Sequence, residues 1–242
     1  MKKKFLLVSE GPTDYLVIKE IASSLKTVRG EDIEVSLLAP QTDATSGSYP
    51  SHGWGGIRAW CMKFSNKTEA ELAALPPQAQ QFLRRQNWRA LLAINNAAGL
   101  IIQLDTDIAH DISHVDAYVP GSCRTTHCND TILFWLKEAA TSSHLYLALT
   151  SYALETWLLA THPPADPVFS DLAAGFNYES LADFEDRLVA LGYPAVKKSG
   201  RRRFKKSPFT RYEVYGKKIV ASLADVRSRC DAAEQLCSHM ER

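Results

Sequence analysis

KKKFLLVSEGPTDYLVIKEI, residues 2–21, is an apolar run that stops at an acid, turns on Gly-Pro and restarts with helical spacing. Lys4 to Val8 reads as a strand buried on both faces, because it is short, continuously apolar and closed by a turn signal. Pro12 suits the first turn of a helix, where its missing N–H costs nothing. Tyr15, Ile18, Ala22 and Leu25 then recur on one helical face. The pair of elements sets Glu10 at the mouth of the strand and Asp14 in the first helical turn.

The pattern repeats along the chain. Ile33 to Leu38 and Gly99 to Leu104 read as further strands, the second ending in DTDIAHD (105–111). Asn129 is a good N-cap for a helix to Thr141. His144 to Leu149 reads as a fourth strand, and SYALETWLLATH (151–162) starts as a helix that Pro163 and Pro164 stop. Helices are expected at 179–191 and from Lys217 to Met240, with a basic loop between them. Strands alternating with helices predict βαβ units, hence an α/β fold with a parallel sheet flanked by helices. Residues 40–97 break the rhythm, with a Gly/Ser/Pro-rich stretch (TSGSYPSHGWGG, 45–56) and two expected helices near 57–73 and 77–96. They are read as a helical insertion between 1–39 and 98–242.

The chain has 242 residues, enough for one large domain or one with an insertion. Its 45% hydrophobic and 23% charged residues are ordinary for a globular protein. No apolar stretch reaches the roughly 18 residues a membrane helix needs. The run after Lys2–Lys4 is too short for a signal peptide, so a cytoplasmic protein without membrane contact is expected. Five cysteines at irregular spacing argue against a disulfide framework. The net charge of +1 hides an asymmetry: residues 195–218 hold ten Lys or Arg against one acid, Glu213, so this segment is +9 and the rest −8. An acidic body with a basic strip suits a polyanion.

Ligand chemistry in parallel sheets collects beyond the carboxyl ends of the strands. Glu10 follows the first strand, Asp105 and Asp107 the third, and Glu155 lies in the helix after the fourth. Several carboxylates buried together cost several kcal/mol per ion unless protons or cations compensate. Hard oxygen donors of this kind suit Mg²⁺ or Mn²⁺. In an extended LDTD segment Asp105 and Asp107 would point the same way. Taken singly, Glu10 could be a turn residue and Asp14 a complement to the helix dipole. Their coincidence with Asp-x-Asp at matching sheet positions is what argues for a site.

VSEGPTDYLVI (Glu10, Gly11, Asp14) followed by IIQLDTD (Asp105, Asp107) resembles the Toprim domain of topoisomerases, primases and several nucleases. The closest resemblance is to Toprim nucleases of the OLD (overcoming lysogenization defect) type. ALETWLLA (Glu155) and YGKKIVA (Gly216, Lys217, Ala221) look like that type's Leu-Glu and Gly-Lys-x-x-x-Ala elements. The blocks cover about 120 residues. The resemblance implies phosphodiester cleavage with two Mg²⁺ or Mn²⁺ ions. Glu10 would be a ligand or general base; Asp14, Asp105, Asp107 and Glu155 would share the metals, and Lys217 would face the scissile phosphate. There is no G-x-x-x-x-G-K-[ST] phosphate loop. The chain thus looks like stand-alone Toprim subunits that work beside a separate ATPase in anti-phage defence. DNA, transfer RNA and other RNA all remain open as substrates, and a homodimer is compatible with the sequence. The competing reading is a non-catalytic Toprim-like module that binds nucleic acid or a partner. A primase or topoisomerase fragment fits less well, for want of a primase zinc module or a topoisomerase tyrosine domain.

The strip KKSGRRRFKK (197–206), with Lys197, Lys198, Arg201, Arg202, Arg203, Lys205 and Lys206, together with Lys218, is the candidate phosphate-tracking surface. Phe204 could stack on a base. Cys123, His127, Cys128, His110 and His114 could assemble a zinc site, but their spacing fits no common pattern; His110 and Asp111 could serve the Asp-x-Asp pair. Cys230 and Cys237 are expected on one buried helix face. Trp54, Trp60, Phe64, Phe82 and Trp88 form an aromatic load in the insertion, read as core or as a partner surface.

Overall fold

The structure, a computed structural model, describes residues 2–41, 52–114, 116–198 and 200–242. In chain order the elements are β1 (Lys2–Val8), α1 (Pro12–Ser24), β2 (Asp32–Ala39), α2 (Gly53–Lys63), α3 (Glu69–Ala73), α4 (Pro77–Arg85), α5 (Trp88–Asn95) and β3 (Gly99–Asp105). A 3-10 turn (Thr106–His110) leads to α6 (Arg124–Leu136), β4 (Leu145–Thr150), α7 (Glu155–Leu159) and α8 (Phe184–Ala190). The chain ends with β5 (Ala195–Lys198), β6 (Arg201–Phe204), α9 (Arg211–Ala221), α10 (Leu223–Arg229) and α11 (Asp231–Glu241).

β1 to β4 form one parallel sheet in the order β2-β1-β3-β4, flanked by helices. This is the expected α/β architecture, consistent with a Toprim-like fold. The continuous apolar run of β1 follows from burial on both faces. Phe5 and Leu7 join one core with α1, α7, α9 and α11, and Leu6 and Val8 join the other with α2, α5 and α6. Each such side chain contributes about 1.5–3 kcal/mol by leaving water. Connections from β1 and β3 depart to opposite sides, so a crevice opens between their carboxyl ends.

The 53–95 segment is helical but is cut into four pieces, not two. Thr68 and Glu71 close a capping box on α3, and the Asn87 side chain accepts from the N–H of Ala90 at the start of α5; both caps restart a helix where periodicity alone suggested continuity. Ile57, Trp60, Cys61, Trp88 and Leu92 are buried in the second core, so α2 and α5 cover one sheet face. Most of the Gly/Ser/Pro-rich stretch lies outside the described residues.

Three other elements differ from expectation. α6 starts at Arg124, leaving Asn129 inside the helix rather than at its cap. The C-terminal helix is broken at Ser222 and Cys230 into α9, α10 and α11, with Cys230 and Cys237 buried. The basic loop is an antiparallel two-stranded ribbon, separate from the main sheet. Among the described residues no helix is long and apolar enough to cross a membrane.

Candidate active site

Glu10 lies one residue beyond the end of β1, after Ser9, and the hydrogen bonds around it tie two strand ends together. Its backbone N–H donates to Gln103 Oε1 at 3.0 Å, and the N–H of Asp105 donates to its Oε2 at 3.2 Å. Gln103, fully buried, donates from Nε2 to Asp105 Oδ1 at 2.9 Å, and Thr150 Oγ1 on β4 donates to the same oxygen at 2.6 Å. Asp105 is therefore gripped by its own strand and by the next one. Asp14 accepts from the Gly11 N–H at 2.8 Å, the reciprocal half of a cap at the start of α1.

Glu155 is the first residue of α7 and is buried. Its Oε1 accepts from the Tyr212 hydroxyl at 2.6 Å and lies 3.0 Å from Lys206 Nζ. Lys206 Nζ also lies 3.9 Å from Glu185. Glu10, Asp14, Asp105, Glu155 and Lys206 line one open cleft of about 580 Å³, with Gly11 to Thr13, His52 and Gly53. A larger groove of about 690 Å³ runs along the outer edge of β2, but it is lined by residues such as Lys2, Lys19, Asp32 and Glu34, away from the strand carboxyl ends.

The electrostatics follow from four carboxylates against one ammonium. Burial, then the charges of Glu155 and Glu10, raises Asp14 to about 8. Burial raises Glu10 to about 7, with the Asp105 N–H opposing and Asp107 adding to the shift. Asp105 is pushed well above the carboxylate range by burial and then by Asp14 and Glu10. Burial works against the charge of Lys206, but Glu155 more than reverses this and its pKa is raised. The cleft is short of positive charge, so near neutral pH it holds protons or takes up cations. By the chemistry of the donor set, hard oxygens short of positive charge, Mg²⁺ or Mn²⁺ would fit, and Glu10, Asp14, Asp105 and Glu155 would hold it. Among the described residues no three Asp, Glu, His or Cys side chains are placed so that they could hold a metal ion together.

Asp107 departs from the extended geometry assumed for LDTD. It sits in the 3-10 turn, exposed, while Asp105 points into the buried site; it acts on Glu10 through its charge. Lys217 is exposed on α9 and does not line the cleft. Its neighbour Gly216 explains the local sequence: a Cβ there would lie 2.9 Å from Glu20 Cβ and 3.3 Å from Val17 Cα, so glycine lets α9 press onto α1. Lys218 lies apart, with its ammonium on Tyr193 and 3.0 Å from His162 Nε2.

Lys197, Arg202 and Arg203 are exposed on the ribbon; the side chains of Lys198 and Arg201 lie outside the described parts. Lys205 donates its N–H to Pro194 O at the ribbon's root, 2.8 Å away. Phe204 is buried beneath Tyr193 and Tyr215 rather than offered to a base, because its strand position faces the core. His127 is buried with Nε2 2.9 Å from Ile112 O and its ring 5.1 Å from that of His114, and Cys123 is exposed while Cys128 is buried; among the described residues no three of these side chains are placed to hold a metal ion. Gln103, Thr150, Tyr212 and the inward reach of Lys206 are the parts that sequence reasoning missed. No protein-family model, curated protein or solved structure matches the chain.

Proposed function

We propose that this protein is a divalent-metal-dependent nuclease that cleaves phosphodiester bonds. The observation that carries this reading is the convergence of Glu10, Asp14, Asp105 and Glu155 in one cleft beside the β1–β3 switch point, with Lys206 as the lysine among its lining residues. Mg²⁺ or Mn²⁺ bound there would supply Lewis-acid charge to a phosphodiester and its leaving oxygen. Glu10, raised to about 7, can exchange a proton near neutral pH, which suits the general base this reading assigns to it. Gln103 and Thr150 fix the Asp105 carboxylate at the end of β3, so this acid is preorganised. Lys197, Arg202 and Arg203 would track the phosphate backbone of the DNA or RNA substrate.

A partner ATPase and a role in anti-phage defence rest on the resemblance to OLD-type Toprim nucleases alone. The alternative, a binding module without catalysis, draws on the Lys206–Glu155 pair, in which Lys206 would hold Glu155 permanently in place of a cation. Cleavage of DNA and RNA with added Mg²⁺ or Mn²⁺ decides between them. Asp105→Asn and Glu10→Gln are expected to lower a metal-dependent rate at least about a hundredfold while circular dichroism stays native, because each carboxylate would hold the cation whose positive charge stabilises the transition state. Wild-type rates in either variant, or no cleavage of any substrate by the parent protein, would leave the binding module.

A further inference from the structure

We propose that Lys206 is a tethered counter-ion that competes with divalent cations for the carboxylate cleft, and that a nucleic-acid backbone gripped by the β5–β6 ribbon draws it out. The proposal rests on the metal-dependent reading above and adds to it how the site is kept shut.

The ribbon is built to repel itself. Its cross-strand partners include Lys197 and Arg202, two exposed cations directly opposite each other, an arrangement that destabilises an antiparallel pair. Among the described residues the ion pairs of this segment are those of Lys206 with Glu155 and Glu185. A row of phosphates would relieve the repulsion, and no acid within the ribbon does so.

Lys206 is joined to that row through a short anchor. Phe204 is buried, with its ring 5.9 Å from Tyr215 and 6.3 Å from Tyr193, and only Lys205 separates it from Lys206. Beyond lie Ser207, Pro208, Phe209 and Thr210, all exposed and outside regular structure. The Lys206 side chain is itself 52% exposed, although its ammonium sits on Glu155. Swinging it outward therefore breaks the ion pairs with Glu155 and Glu185 without disturbing the core. A lysine is a compact point charge on a flexible stem, suited to changing partners.

Lys206 and the Tyr212 hydroxyl both sit on Oε1 of Glu155, and an ammonium there repels a divalent cation, so lysine and metal compete for the same negative charge. The exchange becomes balanced when phosphate arrives: Lys206 leaves one anion for another, and the vacated carboxylates accept the cation. Coupling of this kind is reciprocal, so nucleic acid tightens metal binding by the factor by which metal tightens nucleic-acid binding.

The test is Mn²⁺ binding followed by electron paramagnetic resonance of the free ion at pH 7.5. Wild type, Lys206→Met and Lys206→Arg are titrated with and without a short phosphorothioate DNA duplex, with the duplex alone as blank. Lys206→Met is expected to bind Mn²⁺ about tenfold tighter than wild type, the equivalent of one lost ion pair of about 1.4 kcal/mol. The duplex should tighten Mn²⁺ binding to wild type by a similar factor and leave Lys206→Met unmoved, while Lys206→Arg stays near wild type. Equal or weaker Mn²⁺ binding by folded Lys206→Met overturns the tether, as does a duplex that leaves wild type unchanged. Should Lys206→Met fail to fold, the wild-type arm decides alone. Failure of every protein to bind Mn²⁺ at millimolar concentration removes the metal-dependent reading itself, whereas equal binding by all three removes only the tether.

Discussion

Asp14 shows how one residue can stabilise or strain this fold depending on pH. Its carboxyl sits in the folded protein at about 8 and that of Glu10 at about 7, both above their ordinary values of 3.8 and 4.5. Between those limits the folded chain binds more protons than the unfolded one, so stability falls as pH rises. The contribution is fully present below about pH 4 and is lost by about pH 8. Metal-free protein should thus melt at a lower temperature at pH 8 than at pH 5.5. Asp14→Asn should flatten that slope, and Mn²⁺ should restore the melting temperature at pH 8 in wild type. Calorimetry across this range checks all three; a wild-type melting temperature that rises from pH 5.5 to 8 would contradict the protonated cluster.

At the scale of elements, the ribbon and the α1–α9 contact carry separate predictions. Replacing Lys197, Arg202 and Arg203 by Gln should reduce the log–log salt slope of nucleic-acid binding by roughly 2 to 3, at about 0.7–0.9 per lost phosphate contact. An unchanged slope would return the ribbon to a solvated hairpin. Gly216→Leu should cost about 1–3 kcal/mol by overpacking α9 against Val17 and Glu20, read as a shift in the urea midpoint. Strand β1 and helix α1 were legible because every side chain from Phe5 to Val8 meets one core or the other, and because Pro12 marks the turn. The ribbon was not: its residues are chosen for charge, which masks the alternation that betrays a strand. The start of α3 was written in Thr68 and Glu71, a cap that helical periodicity overrode. Lys206 was grouped with the ribbon's cations because its contact with Glu155 spans a distance in sequence that no local pattern encodes. Gln103 and Thr150 looked like ordinary strand residues, and only the neighbouring strand shows what their polar ends hold.

For the molecule as a whole, the two cores decide which surfaces can serve a partner. Trp60 and Trp88 are buried between the helices and the sheet, while Trp54 and Phe64 are partly buried against them and Phe82 is exposed. The aromatic load of this segment is therefore chiefly structural. Trp88→Ala should destabilise the protein by about 3–5 kcal/mol, whereas Phe82→Ser should leave the unfolding transition within about 0.5 kcal/mol. Equal effects of the two on a denaturant curve would argue that α5 does not pack as described.

Ala195 and Phe204 face each other across the foot of the ribbon, and the Lys205 N–H closes onto Pro194 O beneath them. The chain thus enters and leaves this hairpin at nearly the same point. Such an arrangement makes everything beyond the foot interchangeable: a two-residue Asn-Gly turn could join Ala195 to Phe204 directly. The aromatic anchor and the lysine at the cleft would remain. Natural variants of this fold could then lengthen, shorten or recharge the hairpin, and so change what is grasped, with the carboxylates left untouched. Recognition and chemistry would evolve at different speeds within one polypeptide.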